Sequence, residues 1–119
     1  MGRYRMDDDE KRIIRSIVRL DEKRRRGKLK RKETHFDRKA RAAIEAAERD
    51  IELGGATGEV RDIIVEKIRE NIISGTTWER IGETYCGRDT FYRYSRRYQF
   101  LIGRNMGIIN DKTKKGSGG

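Results

Sequence analysis

Cysteine, histidine and proline are almost absent from this chain. Its 119 residues include one cysteine, one histidine and no proline. Cys86 cannot form an internal disulfide bond, and one cysteine with one histidine cannot supply the ligands of a structural zinc site. His35 stands inside a helix-capping motif, and no nucleophile–base pair or carboxylate pair marks a pocket. We therefore expect no metal, no cofactor and no enzymatic activity.

Apolar residues are also scarce, at 34% of the chain against 42% charged residues. No run approaches the ~20 apolar residues that a membrane-spanning helix needs. The N-terminus lacks the apolar segment of a signal peptide. These absences predict a soluble, cytoplasmic protein with a thin core. Since a thin core leaves apolar surface to cover, a second copy of the chain is a candidate partner.

Positive charge is what the chain has in excess. Lys and Arg number 30 against 20 Asp and Glu, a net charge of +10. Residues 1–35 hold 14 basic and 7 acidic side chains (+7), residues 36–74 hold 7 and 9 (−2), and residues 75–119 hold 9 and 4 (+5). Two basic ends around a near-neutral middle favour a polyanion as the partner.

Helical periodicity predicts an all-α fold, a small helical domain of about five helices. Acidic residues and apolar spacing predict a helix over residues 8–25. A T-x-x-D capping box at Thr34 starts a helix that should reach Leu53, and isoleucines at helical spacing give a third from Gly58 to about Ile73. A T-x-x-E box at Thr76-Thr77-Trp78-Glu79 opens the next helix. No run alternates as a strand would.

The composition divides the chain into three parts. Residues 1–33 form an N-terminal helix and a basic arm, and residues 34–110 form a helical domain with a helix-turn-helix at 76–104. Residues 111–119 form a basic, Gly/Ser-rich tail, which we expect to be disordered or an engineered addition.

The basic arm has eight cationic side chains in ten residues. One interpretation is a solvated helix end and linker, and the other is an arm that contacts phosphates, because like charges this dense repel one another unless an anion neutralises them. The candidate phosphate contacts are Lys23, Arg24, Arg25, Arg26, Lys28, Lys30, Arg31 and Lys32. Lys112, Lys114 and Lys115 of the tail are further candidates.

Residues 76–104 predict two helices joined by a turn at Cys86-Gly87, with Trp78 as a core anchor of the first. On the second, from Arg88 to about Gly103, one face is mainly apolar and consists of Phe91, Tyr94, Ser95, Tyr98, Leu101 and Ile102. The opposite face carries Asp89, Tyr92, Arg93, Arg96 and Phe100. Arginines so placed can bond to guanine edges and phosphates in a major groove. Phe100 on that side should be covered by Ile108-Ile109 or by a second subunit.

The motif T-W-E-R-I-G followed by C-G-R-D-T-F-Y-R-Y resembles the helix-turn-helix of sigma factor region four. It is more similar to that of small phage-encoded transcriptional activators of the RinA and ArpU kind. The resemblance covers about residues 58–109, and it implies a DNA-binding regulator in a bacterial host cell, associated with the nucleoid. It maps the first helix onto Thr77–Tyr85 and the recognition helix onto Arg88–Gly103. Four residues separate Ile81 from Cys86 where the sigma-like pattern usually has five.

These patterns together predict a sequence-specific protein that binds double-stranded DNA, with RNA polymerase or another protein as a further candidate partner. The candidate DNA-binding residues are Arg88, Asp89, Thr90, Tyr92, Arg93, Arg96, Arg97 and Arg104. Two alternatives stay open: a phage assembly component such as a small terminase subunit, and an adaptor that binds RNA or protein through the same basic surface.

Overall fold

The computed structural model describes residues 4–109. This part of the chain contains four α-helices joined by loops and no β-strand. They are α1 (Asp8–Arg25), α2 (His35–Asp50), α3 (Gly58–Ser74) and α4 (Arg88–Asn105). The predicted all-α fold is confirmed, and four helices are close to the expected five. Lys112, Lys114, Lys115 and the predicted tail lie outside the described residues.

Capping residues explain where three of these helices begin or end. Thr34 Oγ1 accepts a hydrogen bond from the Asp37 backbone N–H at 3.2 Å, and the Asp37 carboxylate accepts one from the Thr34 N–H at 2.8 Å. Asp7 and Glu10 form the same reciprocal cap on α1. Gly75 ends α3 with φ of 77°, a left-handed conformation that glycine adopts without steric cost.

A single hydrophobic core holds the four helices together. α1 and α4 each pack against all three other helices. The side chains that are most completely buried come from every helix, and they include Ile14, Ile44, Ile68, Phe91, Tyr98 and Ile102. The N-terminal helix, placed before residue 34 in the predicted division, is therefore an integral part of the same core.

The first helix of the predicted helix-turn-helix is absent. Residues 75–87 form turns and extended backbone between α3 and α4. Gly82 has φ of 101° and Tyr85 has φ of 56°, so two left-handed residues interrupt the predicted Thr77–Tyr85 helix. The Trp78 indole N–H closes the segment on itself by hydrogen bonds to Thr84 Oγ1 at 3.0 Å and to the Cys86 carbonyl at 3.2 Å. The segment is thus a closed loop packed on the core and not a helix.

Phe100 is buried, and the chain before α1 packs against it. Its exposed fraction is 6%, and the ring of Tyr4 packs edge-on against it with centroids 5.4 Å apart. The chain that precedes α1 therefore contributes to covering this aromatic side chain, so a second subunit is not needed for it.

Candidate nucleic-acid interface

The two halves of α4 have different surroundings. Every residue from Tyr98 to Gly103 is buried, whereas the N-terminal half exposes one side to solvent. The six residues of the predicted core face, Phe91, Tyr94, Ser95, Tyr98, Leu101 and Ile102, are all buried. Arg88, Asp89, Arg93 and Arg96 are all exposed. Only the first turns of the helix are therefore exposed to solvent.

We call Arg88, Arg93 and Arg96 the arginine row. Arg88 makes an ion pair with Glu79 at 3.1 Å and lies over the Tyr92 ring at 5.6 Å from its centroid. Arg93 and Arg96 have no carboxylate within ion-pairing distance among residues 4–109, and they stand one turn apart on the exposed side. Two guanidinium groups are thus left for a ligand.

Tyr92 has a structural contact that its predicted role did not include. Its hydroxyl oxygen accepts a hydrogen bond from the Trp78 backbone N–H at 3.0 Å, and its ring packs against Phe91. This contact holds the 75–87 loop against α4. Thr90 is half-buried and Asp89 is almost fully exposed at the start of the helix.

Arg97 and Arg104, both predicted to contact DNA, are half-buried. Arg97 donates from Nη1 to the Glu52 carbonyl at 2.6 Å and lies 5.2 Å from the Tyr4 ring centroid and 5.6 Å from that of Tyr94. The Arg97 guanidinium therefore helps to hold the loop after α2 against α4. Arg104 also interacts within the fold. Neither belongs to the arginine row.

The basic arm separates by residue type. All four of its arginines are ion-paired within the fold: Arg25 with Asp21 at 2.8 Å, Arg26 with Glu22, and both Arg24 (3.1 Å) and Arg31 (2.6 Å) with Asp37. The four lysines, Lys23, Lys28, Lys30 and Lys32, are exposed and have no ion-pair partner within the described residues. The arginines thus fasten the arm to α1 and α2, and the lysines are the cations of the arm that remain unpaired within the described residues.

Asp37 is the residue on which the arm converges. Its carboxylate is buried, with 7% of the side chain exposed. Hydrogen bonds from the Arg31 guanidinium, and then from the Thr34 backbone N–H, hold the pKa of Asp37 well below its ordinary value. The carboxylate therefore stays ionised, and it orders a segment whose like charges would otherwise repel.

A groove lies beside the arginine row, between α1, the end of α3 and α4. We call it the α1–α4 groove. Its volume is about 370 Å³, and its lining includes the cations Lys11, Arg15, Arg19 and Arg96 but no acidic residue of the described chain. Lys11 is within 3.9 Å of the exposed Asp8, and Arg19 Nε donates to the Ile72 carbonyl at 3.2 Å. Arg15 has no ion-pair partner in residues 4–109.

The three α1 cations of this groove were not among the predicted site residues. The signal was present, because Lys11, Arg15 and Arg19 follow each other at intervals of four residues. This spacing puts them roughly on one side of a helix, about 6 Å apart along its axis. These three cations are less conspicuous in the sequence than the basic arm because they are more widely spaced.

The other reactive side chains form no second site. Burial is the main reason that the pKa of the Cys86 thiol is raised, which keeps the thiol protonated. No cluster of three His, Cys, Asp or Glu side chains within residues 4–109 could hold a metal ion. None of the described helices is long and apolar enough to cross a membrane.

Comparisons with protein families, with characterised proteins and with solved structures find no match to this chain. The resemblance to phage transcriptional activators therefore stays a prediction, and function has to be argued from the geometry.

Proposed function

We propose that the protein binds duplex DNA as a regulator of transcription and that the exposed half of α4 reads the major groove. The observation that carries the proposal is the arginine row. Arg93 and Arg96 stand a turn apart on a rigid helix, exposed and without acidic partners. A free guanidinium can form paired hydrogen bonds with a guanine edge, and each such pair contributes about 1–3 kcal/mol of discrimination between bases.

The four unpaired arm lysines fit a different part of the same task. A lysine ammonium acts as a point charge, which suits contact with phosphates and carries no sequence information. We expect Lys23, Lys28, Lys30 and Lys32 to supply salt-dependent affinity for any duplex, whereas the arginine row supplies preference for a site. The resemblance of residues 58–109 to phage regulators agrees with this division, although the chain lacks the usual first helix.

The test is duplex binding by fluorescence anisotropy, with a site first selected from a random pool. Arg93→Gln with Arg96→Gln should weaken the selected site by roughly 1–3 kcal/mol per contact and weaken random DNA less. Changing the four arm lysines to Gln should weaken both duplexes alike and flatten the salt dependence by about 0.9 per lost phosphate contact.

Arg38→Gln with Lys39→Gln is the matched control. These two exposed α2 residues have no ion-pair partner among residues 4–109, and the double change removes the same charge as the α4 double variant. If the α2 and α4 variants lose equal affinity for the selected site, only net charge matters and the reading role of α4 is wrong. Mass measurement of the free protein adds a separate check, because a closed ring of many copies would favour the assembly component.

A further inference from the structure

One residue in the lining of the α1–α4 groove carries an unsatisfied polar atom. Gln99 is 8% exposed, and its amide Nε2 donates to the Ser95 carbonyl at 3.3 Å and to Ser95 Oγ at 3.2 Å. Its Oε1 is buried and has no hydrogen-bond partner among the described residues. The Ser95 carbonyl can only accept, so it fixes which end of the amide faces it. An unpaired buried carbonyl of this kind costs free energy unless a donor reaches it.

The walls of the groove are complementary to an anion. Arg15 and Arg96 have no ion-pair partner in the described chain, and Lys11 and Arg19 add two further positive charges. With no acidic residue in the lining, the guanidinium groups of Arg15 and Arg96 are left for a ligand. Phosphate groups suit such a cluster because guanidinium groups bind them through charge-assisted, often bidentate hydrogen bonds.

The size of the groove argues for a small molecule. A volume of about 370 Å³ falls at the lower end of the 300–1,000 Å³ range of small-ligand sites. The wide, stiff surface of a duplex can contact the exposed cations of such a groove but cannot place a group against a lining residue that is only 8% exposed. A small phosphorylated compound can do both.

We propose that the α1–α4 groove binds a nucleoside phosphate, with its phosphates on Lys11, Arg15, Arg19 and Arg96 and a sugar hydroxyl or base amino group donating to Gln99 Oε1. This goes beyond DNA binding, since the ligand is free and most of the residues are different. Arg96 belongs to both surfaces, so the bound nucleotide competes with DNA for one guanidinium.

Isothermal titration calorimetry of the full chain tests the proposal with the four common nucleoside diphosphates and with pyrophosphate. Pyrophosphate carries the anion but lacks a carbon-bound donor. At least one nucleoside diphosphate should bind more tightly than pyrophosphate. Arg15→Gln should weaken both kinds of ligand by about tenfold or more, the effect of losing a charge-assisted hydrogen bond. Arg38→Gln, the same change of residue and charge on α2 outside the groove lining, should leave both unchanged.

Gln99→Met separates recognition from charge attraction. Methionine keeps the length of the side chain but removes the acceptor, so the advantage of the nucleotide over pyrophosphate should disappear. Equal binding of pyrophosphate and every nucleotide to the unmodified protein would overturn the proposal, as would equal losses in Arg15→Gln and Arg38→Gln. If Gln99→Met does not fold, as judged by circular dichroism, the comparison of Arg15→Gln with Arg38→Gln still decides.

The nucleotide site and the DNA interface can fail independently. Arg93 does not line the groove. Arg93→Gln should therefore weaken DNA binding and leave nucleotide affinity intact, whatever the outcome of the calorimetric test.

Discussion

Tyr98 connects three helices through one carboxylate, and its hydroxyl offers a quantitative test of how α4 is held. The hydroxyl donates to Glu48 Oε2 at 2.7 Å, and the same oxygen accepts from Arg69 Nε at 3.2 Å. Tyr98 is fully buried, and desolvation raises its pKa well above the ordinary value. The hydroxyl therefore remains a protonated donor across the accessible pH range.

Tyr98→Phe removes this donor and leaves the ring in place. A hydrogen bond to a charged group contributes about 1.5–3 kcal/mol. Glu48 keeps its ion pair with Arg69, so its carboxylate is not left without a partner. We therefore expect a loss at the lower end, about 1.5 kcal/mol of unfolding free energy.

Urea unfolding monitored by circular dichroism measures this change. With a slope of about 1–3 kcal/mol/M, the midpoint should fall by on the order of 1 M while the slope stays constant. Tyr85→Phe is the matched control, because that side chain is 53% exposed and its hydroxyl forms no bond within residues 4–109. A double-mutant cycle with Glu48→Gln should show coupling between the two positions. If Tyr98→Phe shifts the midpoint no more than Tyr85→Phe does, the connection through Glu48 does not contribute to stability.

Two further predictions concern the core and the arm. Ile14→Ala should cost about 2–5 kcal/mol because the side chain is fully buried, whereas Ile13→Ala, at a site 49% exposed, should cost far less; urea unfolding of both variants measures the difference, and similar losses would contradict the assigned orientation of α1. The second concerns Asp37→Asn, which should destabilise the protein at neutral pH. Since the native pKa of Asp37 lies below the ordinary value of 3.8, its stabilisation is complete above that pH and is lost as the pH falls through the native pKa. The difference in unfolding free energy between Asp37→Asn and the unmodified protein should therefore become smaller below about pH 4. Asp62→Asn is the exposed control. A difference that does not change with pH would refute the pairing.

Local sequence signals were sufficient for most of the helices. The capping box at Thr34 and the start of α3 at Gly58 lie where the sequence predicts them, since caps and glycine act within a few residues. The two faces of α4 were also predictable, because a periodicity of 3.6 separates buried from exposed positions on a single helix.

Local sequence signals did not predict the conformation of residues 75–87. Trp78, Ile81 and Tyr85 have helical spacing, but spacing cannot show that Gly82 and Tyr85 adopt left-handed conformations. The Trp78 indole donates to Thr84 Oγ1 and to the Cys86 carbonyl, and the Trp78 backbone N–H donates to the Tyr92 hydroxyl of α4. These bonds hold residues 75–87 as a loop. A helical spacing of only three apolar residues was too weak a signal against these contacts. The second helix of the predicted motif is therefore present without the first.

The ion pairs of the arm and the cations of the α1–α4 groove could not be predicted from the sequence for a similar reason. A count of charges cannot show that Arg24 and Arg31 find Asp37, which is six residues or more away along the chain. In the same way, it cannot show that α1 brings Arg15 beside Arg96 of α4, since that juxtaposition depends on how the two helices pack. Only the interval of four residues along α1 was visible in advance.

Arginine and lysine side chains have different environments on the basic surface of the protein. The four arginines of the arm form ion pairs with carboxylates of the same chain, and its four lysines remain exposed. On α4 the reverse holds, because Arg93 and Arg96 are the exposed cations without acidic partners. Arginine can form directional, paired hydrogen bonds, and lysine acts as a point charge. Under the proposed function, sequence specificity is expected from α4 and general affinity from the arm, although the arm has the higher density of charge.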